Sequence, residues 1–485
     1  MSRPSRRLRA GLLAAASAAL VAAALPAPTP LGIGDPLYPS LGNPGYDVLS
    51  YDIGLTYGGS NNEPLSAVTV IDARATEALE RVNLDFTHGT VSSVEVNGAR
   101  AAHETTGEDL VVTPAAAVPA GGRLRITVHH TSDPRGAQVG GWVRTGDGLV
   151  MANQADAAHR VFPCNDHPSD KAYFTFRVTA PKGLTVVANG LEEARSRHGG
   201  NVTSTFRTVH PMATELAQVS IGHSAVLRRT GPHGLPVRDV VPAADRTKME
   251  RWLKKTPGQL AWMESKVGPY PFENYGVLIA DMNTGFELET QTLSLFERSM
   301  FARAEYPEWY VESIMVHELS HHWFGDSVSP RAWSDLWLNE GHATWYEALY
   351  AQEQAKQPME RRMHDAYTDS DGWRAAGGPP AEPRRAAPGQ QIGIFRPVVY
   401  DGSALVLYAL RQEIGTGAFE QLERAWVRDY RDKSATTADF AALASRISGR
   451  DLSGFFRAWL YAEKTPPMPG HPDWRSDPVK VSRAG

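Results

Sequence analysis

The sequence predicts an α+β multidomain chain: an N-terminal antiparallel β-sandwich followed by a mainly α-helical domain. Three observations carry this. Apolar residues alternate every second position before about residue 235, helical spacing takes over after about residue 243, and 485 residues allow two large folding units or three smaller ones. Val91–Val96, Leu124–Val128 and Phe174–Val178 each place apolar side chains on one face of a half-buried strand. Asn97-Gly98 and Asn189-Gly190 are hairpin-turn dipeptides that tolerate positive φ. Residues 46–235 are therefore expected to form the β-domain and residues 236–465 the helical one. Helical patterns cover Met249–Val267, Glu308–Asp326, Leu336–Gln354, Ser403–Glu413, Phe419–Tyr430 and Thr437–Tyr461. Asp371–Gln390, rich in Pro, Gly and Ala, reads as a long loop, and Pro466, Pro467, Pro469 and Pro472 open a C-terminal tail over 466–485.

At the N-terminus, Arg3, Arg6, Arg7 and Arg9 precede an uncharged, alanine-rich stretch, Ala10–Leu25, with Ala22 and Ala24 offering a small-residue cleavage site. This is the layout of a signal peptide over 1–24, followed by a Pro- and Gly-rich linker over 25–45. A secreted or extracytoplasmic protein is expected. A retained membrane anchor is the alternative, but alanine is only mildly apolar and Pro26, Pro28 and Pro30 follow at once. No stable membrane insertion is expected after cleavage.

Forty-nine basic against 54 acidic side chains give a net charge of −5, which supplies no clustered basic surface for nucleic acid. A single cysteine, Cys164, excludes an intramolecular disulfide, a Cys-rich zinc finger and an iron–sulfur cluster. It reads as a buried structural thiol. Any metal must be held by His and carboxylates.

His317-Glu318-Leu319-Ser320-His321 is such a pattern inside a helical stretch. Histidines four apart stand one turn apart on one helix face, so both imidazoles reach a single cation. Glu318 lies about 100° round the helix, beside the metal, where it can accept a proton from water. His322 points to another face and reads as a packing residue. Glu340 follows, with 18 residues between it and His321. Two His and a carboxylate, with the fourth position open, are the ligand set of a catalytic zinc site, although an acidic residue in a first helical turn also arises for the dipole alone.

The two stretches His317–Asp326 (His-Glu-Leu-Ser-His-His-Trp-Phe-Gly-Asp) and Trp333–His342 (Trp-Ser-Asp-Leu-Trp-Leu-Asn-Glu-Gly-His) resemble peptidase family M1, the aminopeptidase N and leukotriene hydrolase group of gluzincins. Phe162–Asp166, Gly268–Phe272 and Phe455–Leu460 resemble further signatures of that family, so the likeness runs over most of the chain. It implies a saddle-shaped β-sandwich on a thermolysin-like catalytic domain, with one Zn2+ on His317, His321 and Glu340. The resemblance ends near Trp459, so the helical C-terminal domain of larger members is not expected here.

The resemblance also assigns roles. Glu318 is the general base. Glu289 matches the Glu of the family's GxMEN motif, which binds the substrate's free amine, although Phe286, Leu288 and Thr290 stand in place of Gly, Met and Asn. Gln154 matches a second amine contact, and Tyr400 the tyrosine that hydrogen-bonds the tetrahedral oxyanion. There the usual Lys-Gly is replaced by Gly402-Ser403. The implied activity is a zinc aminopeptidase acting on peptides with a free N-terminus, as a monomer. A leukotriene-hydrolase-like or endopeptidase zinc hydrolase, and a non-catalytic scaffold, stay open; a scaffold is expected to lose the ligands or Glu318, and this chain keeps them.

Overall fold

The computed structural model describes residues 32–136, 140–387 and 391–476. The expected signal peptide and the last residues of the tail lie outside the described residues.

The N-terminal part is a sandwich of two sheets. Ten strands form the larger, in the order Leu191–His198, Asn201–Arg207, Tyr173–Pro181, Tyr46–Thr56, Leu65–Ala75, Arg123–Ser132, Val91–Val96, Ala99–Thr106, Asp109–Thr113 and Val82–Asp85. Its pairings are antiparallel except that Tyr46–Thr56 runs parallel to Tyr173–Pro181. The expected alternation is seen in Arg123–Ser132, where Leu124, Ile126 and Val128 are buried and Arg123, Arg125 and His129 exposed. Four further strands, Thr185–Ala188, Val219–Gly222, Leu149–Ala152 and Gly141–Arg144, make the second sheet, and both sheets share one apolar core.

A third sheet was not legible in the sequence. Ser224–Thr230 pairs antiparallel with Pro236–Pro242, which continues through parallel pairings into Val277–Ala280 and Ser294–Glu297. This sheet divides the molecule. Val240, Leu278, Ala280 and Leu295 face the sandwich core, whereas Val237, Val241, Val277, Ile279 and Phe296 face the helical core.

Nine helices follow among the described residues: α1 (Arg246–Leu253), α2 (Thr256–Val267), α3 (Glu308–Ser320), α4 (Trp337–Ala355), α5 (Met359–Gly377), α6 (Asp401–Ile414), α7 (Thr416–Asp429), α8 (Thr437–Ser448) and α9 (Ser453–Tyr461). Four expectations need correction, the first being that the Glu308–Asp326 pattern is helical only to Ser320, where α3 gives way to turns. Met249–Val267 and Thr437–Tyr461 are each two helices, broken at Lys254-Lys255 and at Gly449–Leu452. The expected loop over 371–390 starts later, because α5 runs to Gly377 and stops where Gly378 takes φ of 83°.

The described part of the Pro- and Gly-rich stretch alternates exposed residues with buried anchors. Leu37, Tyr38 and Leu41 are buried against Trp333 and Leu336. Asp35 is the pin: its carboxylate accepts from the backbone N–H of Leu37 (2.7 Å), Tyr38 (3.0 Å) and Trp333 (2.8 Å), and pairs with His167 Nε2 at 3.1 Å.

Candidate active site

Helix α3 ends on the His/Glu pattern and α4 begins just before Glu340, so the packing of these two helices builds the site. His317, His321 and Glu340 are buried, and Glu340 Oε2 lies 3.4 Å from His317 Nε2 and 3.5 Å from His321 Nε2. Tetrahedral ligands at zinc bond lengths of about 2.0–2.2 Å stand about 3.3–3.5 Å apart, so these separations fit the ion. Glu340 Oε2 is buried without a hydrogen-bond partner, an arrangement that costs free energy unless a cation completes it. Both imidazoles are oriented from behind: His317 Nδ1 lies 3.1 Å from Glu347 Oε2 and His321 Nδ1 3.1 Å from the Phe324 carbonyl. With those acceptors each Nδ1 carries the proton and each Nε2 lone pair is turned inward.

His322, the next residue, turns away to hydrogen-bond Tyr270 Oη (2.8 Å) and Ser294 Oγ (3.0 Å). It packs against the third sheet and is no ligand.

Glu318 lines the same cleft, and burial pushes its carboxyl up to about 8 against the downward pull of His317 and His321. Glu289 is brought beside it: ligand atoms of Glu289, Glu318 and His321 lie within 4.8 Å of one another. The segment carrying Glu289 is held by Leu288, whose backbone pairs with Leu295 and whose side chain sits in the sandwich core. The apolar residue at the altered motif position thus keeps the backbone course that aims Glu289 inward. Gln154 arrives from the sandwich, and its Nε2 donates to Glu289 Oε1 at 2.6 Å. Burial raises Glu289 as well, with His321 opposing and Glu340 adding to the rise.

Tyr400 occupies the N-terminal entry of α6, its ring centroid 6.1 Å from that of His317. Burial and the nearby Glu340 hold its phenol well above the usual range, so the hydroxyl stays a donor. All seven residues expected from the sequence therefore line one cleft of about 910 Å3. Cys164 lies elsewhere, buried in the sandwich core.

Sequence reasoning missed Glu347, Arg362 and Asp401. Glu347 follows Glu340 by seven residues, two helical turns, and that spacing could have found it. Arg362 carries no such signal. It matters because its guanidinium meets both Glu347 and Asp401.

The profile of the peptidase family M1 domain matches residues 252–459, and that of the peptidase M1 N-terminal domain matches residues 50–216. The chain belongs to peptidase family M1. Among its M1 relatives, the leucyl aminopeptidase of Saccharolobus solfataricus is 24% identical over 361 residues, covering 70% of this chain and 43% of that protein. Aminopeptidase N of Streptomyces lividans is 25% identical over 437 residues, covering 85% and 50%. The chain thus spans half or less of these relatives. A crystal structure of an M1 zinc metallopeptidase from Deinococcus radiodurans superposes with a TM-score of 0.78 at 29% identity, covering 92% of this chain and 99% of that one. A mutant of a two-domain M1 zinc metallopeptidase bound to L-arginine gives 0.79 at 28%, covering 90% and 99%. The metal of this M1 chain is zinc, and the triad His317, His321 and Glu340 is the group that fits it. No helix among the described residues is long and apolar enough to cross a membrane.

Proposed function

We propose that this chain is a zinc-dependent aminopeptidase that hydrolyses the first peptide bond of substrates with a free N-terminus. One observation carries the reading: a buried carboxylate, Glu289, tied to Gln154, closes the cleft directly beside Glu318 and His321. A cationic amine bound there places the first peptide bond, and no other, next to the metal-binding triad.

His317, His321 and Glu340 would hold the zinc, which would supply Lewis acidity toward a carbonyl oxygen and a water molecule. Glu318 takes the proton of the attacking water and returns it to the leaving amine, general base turned general acid. Tyr400 donates its hydroxyl hydrogen to the oxygen on which negative charge develops. Glu289 and Gln154 hold the ammonium and fix the register. The relatives, a leucyl aminopeptidase and an aminopeptidase N, support the same reading. So does a mutant M1 zinc metallopeptidase of Deinococcus radiodurans bound to a Tyr-Ser-Ala substrate. Export through a leader at 1–24 and a monomeric state complete the proposal.

The test is a panel of aminoacyl-anilides against their N-acetyl counterparts, with metal content measured and chelator added in parallel. Hydrolysis of free-amine substrates alone, lost with chelator and restored by zinc, is the expected result. Comparable cleavage of blocked peptides overturns the exopeptidase assignment.

A further inference from the structure

Arg362, in the first turn of α5, is a fork with both sides occupied. Its Nη1 donates to Glu347 Oε1 at 2.7 Å and Nη2 to Glu347 Oε2 at 3.3 Å, while Nε donates to Asp401 Oδ1 at 2.7 Å. The same Glu347 Oε2 accepts from His317 Nδ1. Asp401 is the first residue of α6 and directly follows Tyr400, whose carbonyl accepts the N–H of Ser403 and of Ala404 to start that helix. One guanidinium therefore joins α4, α5 and α6, and through Glu347 it reaches α3. Glu347 is 7% exposed, Asp401 30% and Arg362 33%, so the brace borders the cleft with its inner carboxylate buried and its other two members partly open to water.

We propose that Arg362 is a positioning residue that sets the zinc ligand His317 and the oxyanion donor Tyr400 in register with one another. A planar fork suits this task because it binds one carboxylate through two nitrogens and a second through its third. Lysine presents a point charge and cannot hold both in fixed relative orientation. Neither arm touches the reacting atoms. One arm fixes the ring angle of a metal ligand, the other fixes the turn that carries a hydroxyl. Remote supports of this kind matter because a metal ligand whose outer partner is lost typically weakens metal affinity or activity about 10–100-fold.

A rival role exists on the same cleft. The outer N–H groups of Arg362 could instead meet the terminal carboxylate of a short peptide. That role affects KM for peptide acids and leaves zinc binding alone.

The experiment measures zinc affinity by competition with a chromophoric chelator, together with kcat and KM on peptide acids and matching amides. Arg362→Ala should weaken zinc about 10–100-fold and lower kcat, with KM equal for acid and amide relative to the parent protein. Glu347→Gln should affect chiefly zinc affinity and Asp401→Asn chiefly kcat, so the two arms separate. Arg362→Lys should recover part of the loss. Should Arg362→Ala fail to fold, that separation in the two carboxylate variants still decides the matter. A folded Arg362→Ala protein with unchanged zinc affinity and kcat overturns the brace, as does a loss confined to KM for peptide acids. The kcat arm rests on the aminopeptidase reading and the zinc arm does not: if the parent protein cleaves no substrate yet Arg362→Ala still weakens zinc, the function fails and the brace stands.

Discussion

Glu289 is 3% exposed, and one of its oxygens already accepts from Gln154, which leaves the other for a substrate ammonium. Replacing it with the isosteric Gln keeps the shape and removes the charge. The incoming ammonium then meets an uncharged, buried pocket end. Truncating one partner of a buried charge pair costs about 2–5 kcal/mol. At about 1.36 kcal/mol per factor of ten, that is a loss of about 30–5,000-fold in kcat/KM for Glu289→Gln. Gln154→Ala removes one hydrogen bond to a charged group, worth about 1.5–3 kcal/mol, for a loss of about 10–150-fold. The assay compares an aminoacyl-anilide with its N-acetyl form, the blocked substrate lacking the charge that Glu289 is argued to bind. If Glu289→Gln slows both by the same factor, the carboxylate serves the chemistry or the fold and the anchoring argument is wrong.

Four further outcomes are expected. Glu318→Gln should retain one zinc per chain and its thermal midpoint while turnover falls about 10²–10⁴-fold, and persistent turnover removes the base assignment. Tyr400→Phe should lower kcat about 10²–10³-fold; a change in KM alone contradicts oxyanion donation. At Gly341 an added Cβ would meet Ser403 Cβ at 2.8 Å, so Gly341→Ala should cost about 1–3 kcal/mol in thermal unfolding and part α4 from α6, lowering kcat; Ser403→Gly in the same chain should recover part of both. Asp35 is held below its usual value because His167 and the N–H groups of Trp333, Tyr38 and Leu37 together outweigh the cost of its burial. A depressed carboxyl stabilises above its unfolded value, about 3.9, and loses that contribution as pH falls below it. Asp35→Ala should cost about 3–5 kcal/mol near neutral pH and progressively less in acid, read from urea midpoints; a pH-independent difference argues against the ionised pin.

What the sequence made legible follows from periodicity and spacing. The long strands bury one face only, so alternation betrays them, as in Leu124, Ile126 and Val128. Val277–Ala280 and Ser294–Glu297 are four residues each and buried throughout, so there is no alternation to read. Helix α5 hid its C-terminal end because its buried side includes Ser370, Asp371 and Arg374 beside Met363 and Tyr367, which blurs the apolar stripe. Arg374 is accommodated there by the carbonyls of Trp459 and Ala462 and by Thr465 Oγ1, partners about 90 residues downstream that no local pattern reports. His317 and His321 were legible as a candidate metal pair because they share one helix face, whereas Glu340, an ordinary acid in a first helical turn by spacing alone, was singled out by the family likeness. Glu289, Gln154 and Tyr400 came through family likeness alone, since each lies on a separate element whose meeting depends on tertiary packing.

The third sheet has a consequence for how this molecule becomes selective. The candidate metal triad comes from α3, the residue that caps it and α4, yet the end of the cleft is borrowed: Gln154 belongs to the sandwich, and Glu289 is aimed by a leucine seated in the sandwich core. On the proposed aminopeptidase reading, confinement of each cut to the first bond would depend on both halves being in place, because Gln154 and the seat of Leu288 belong to the first.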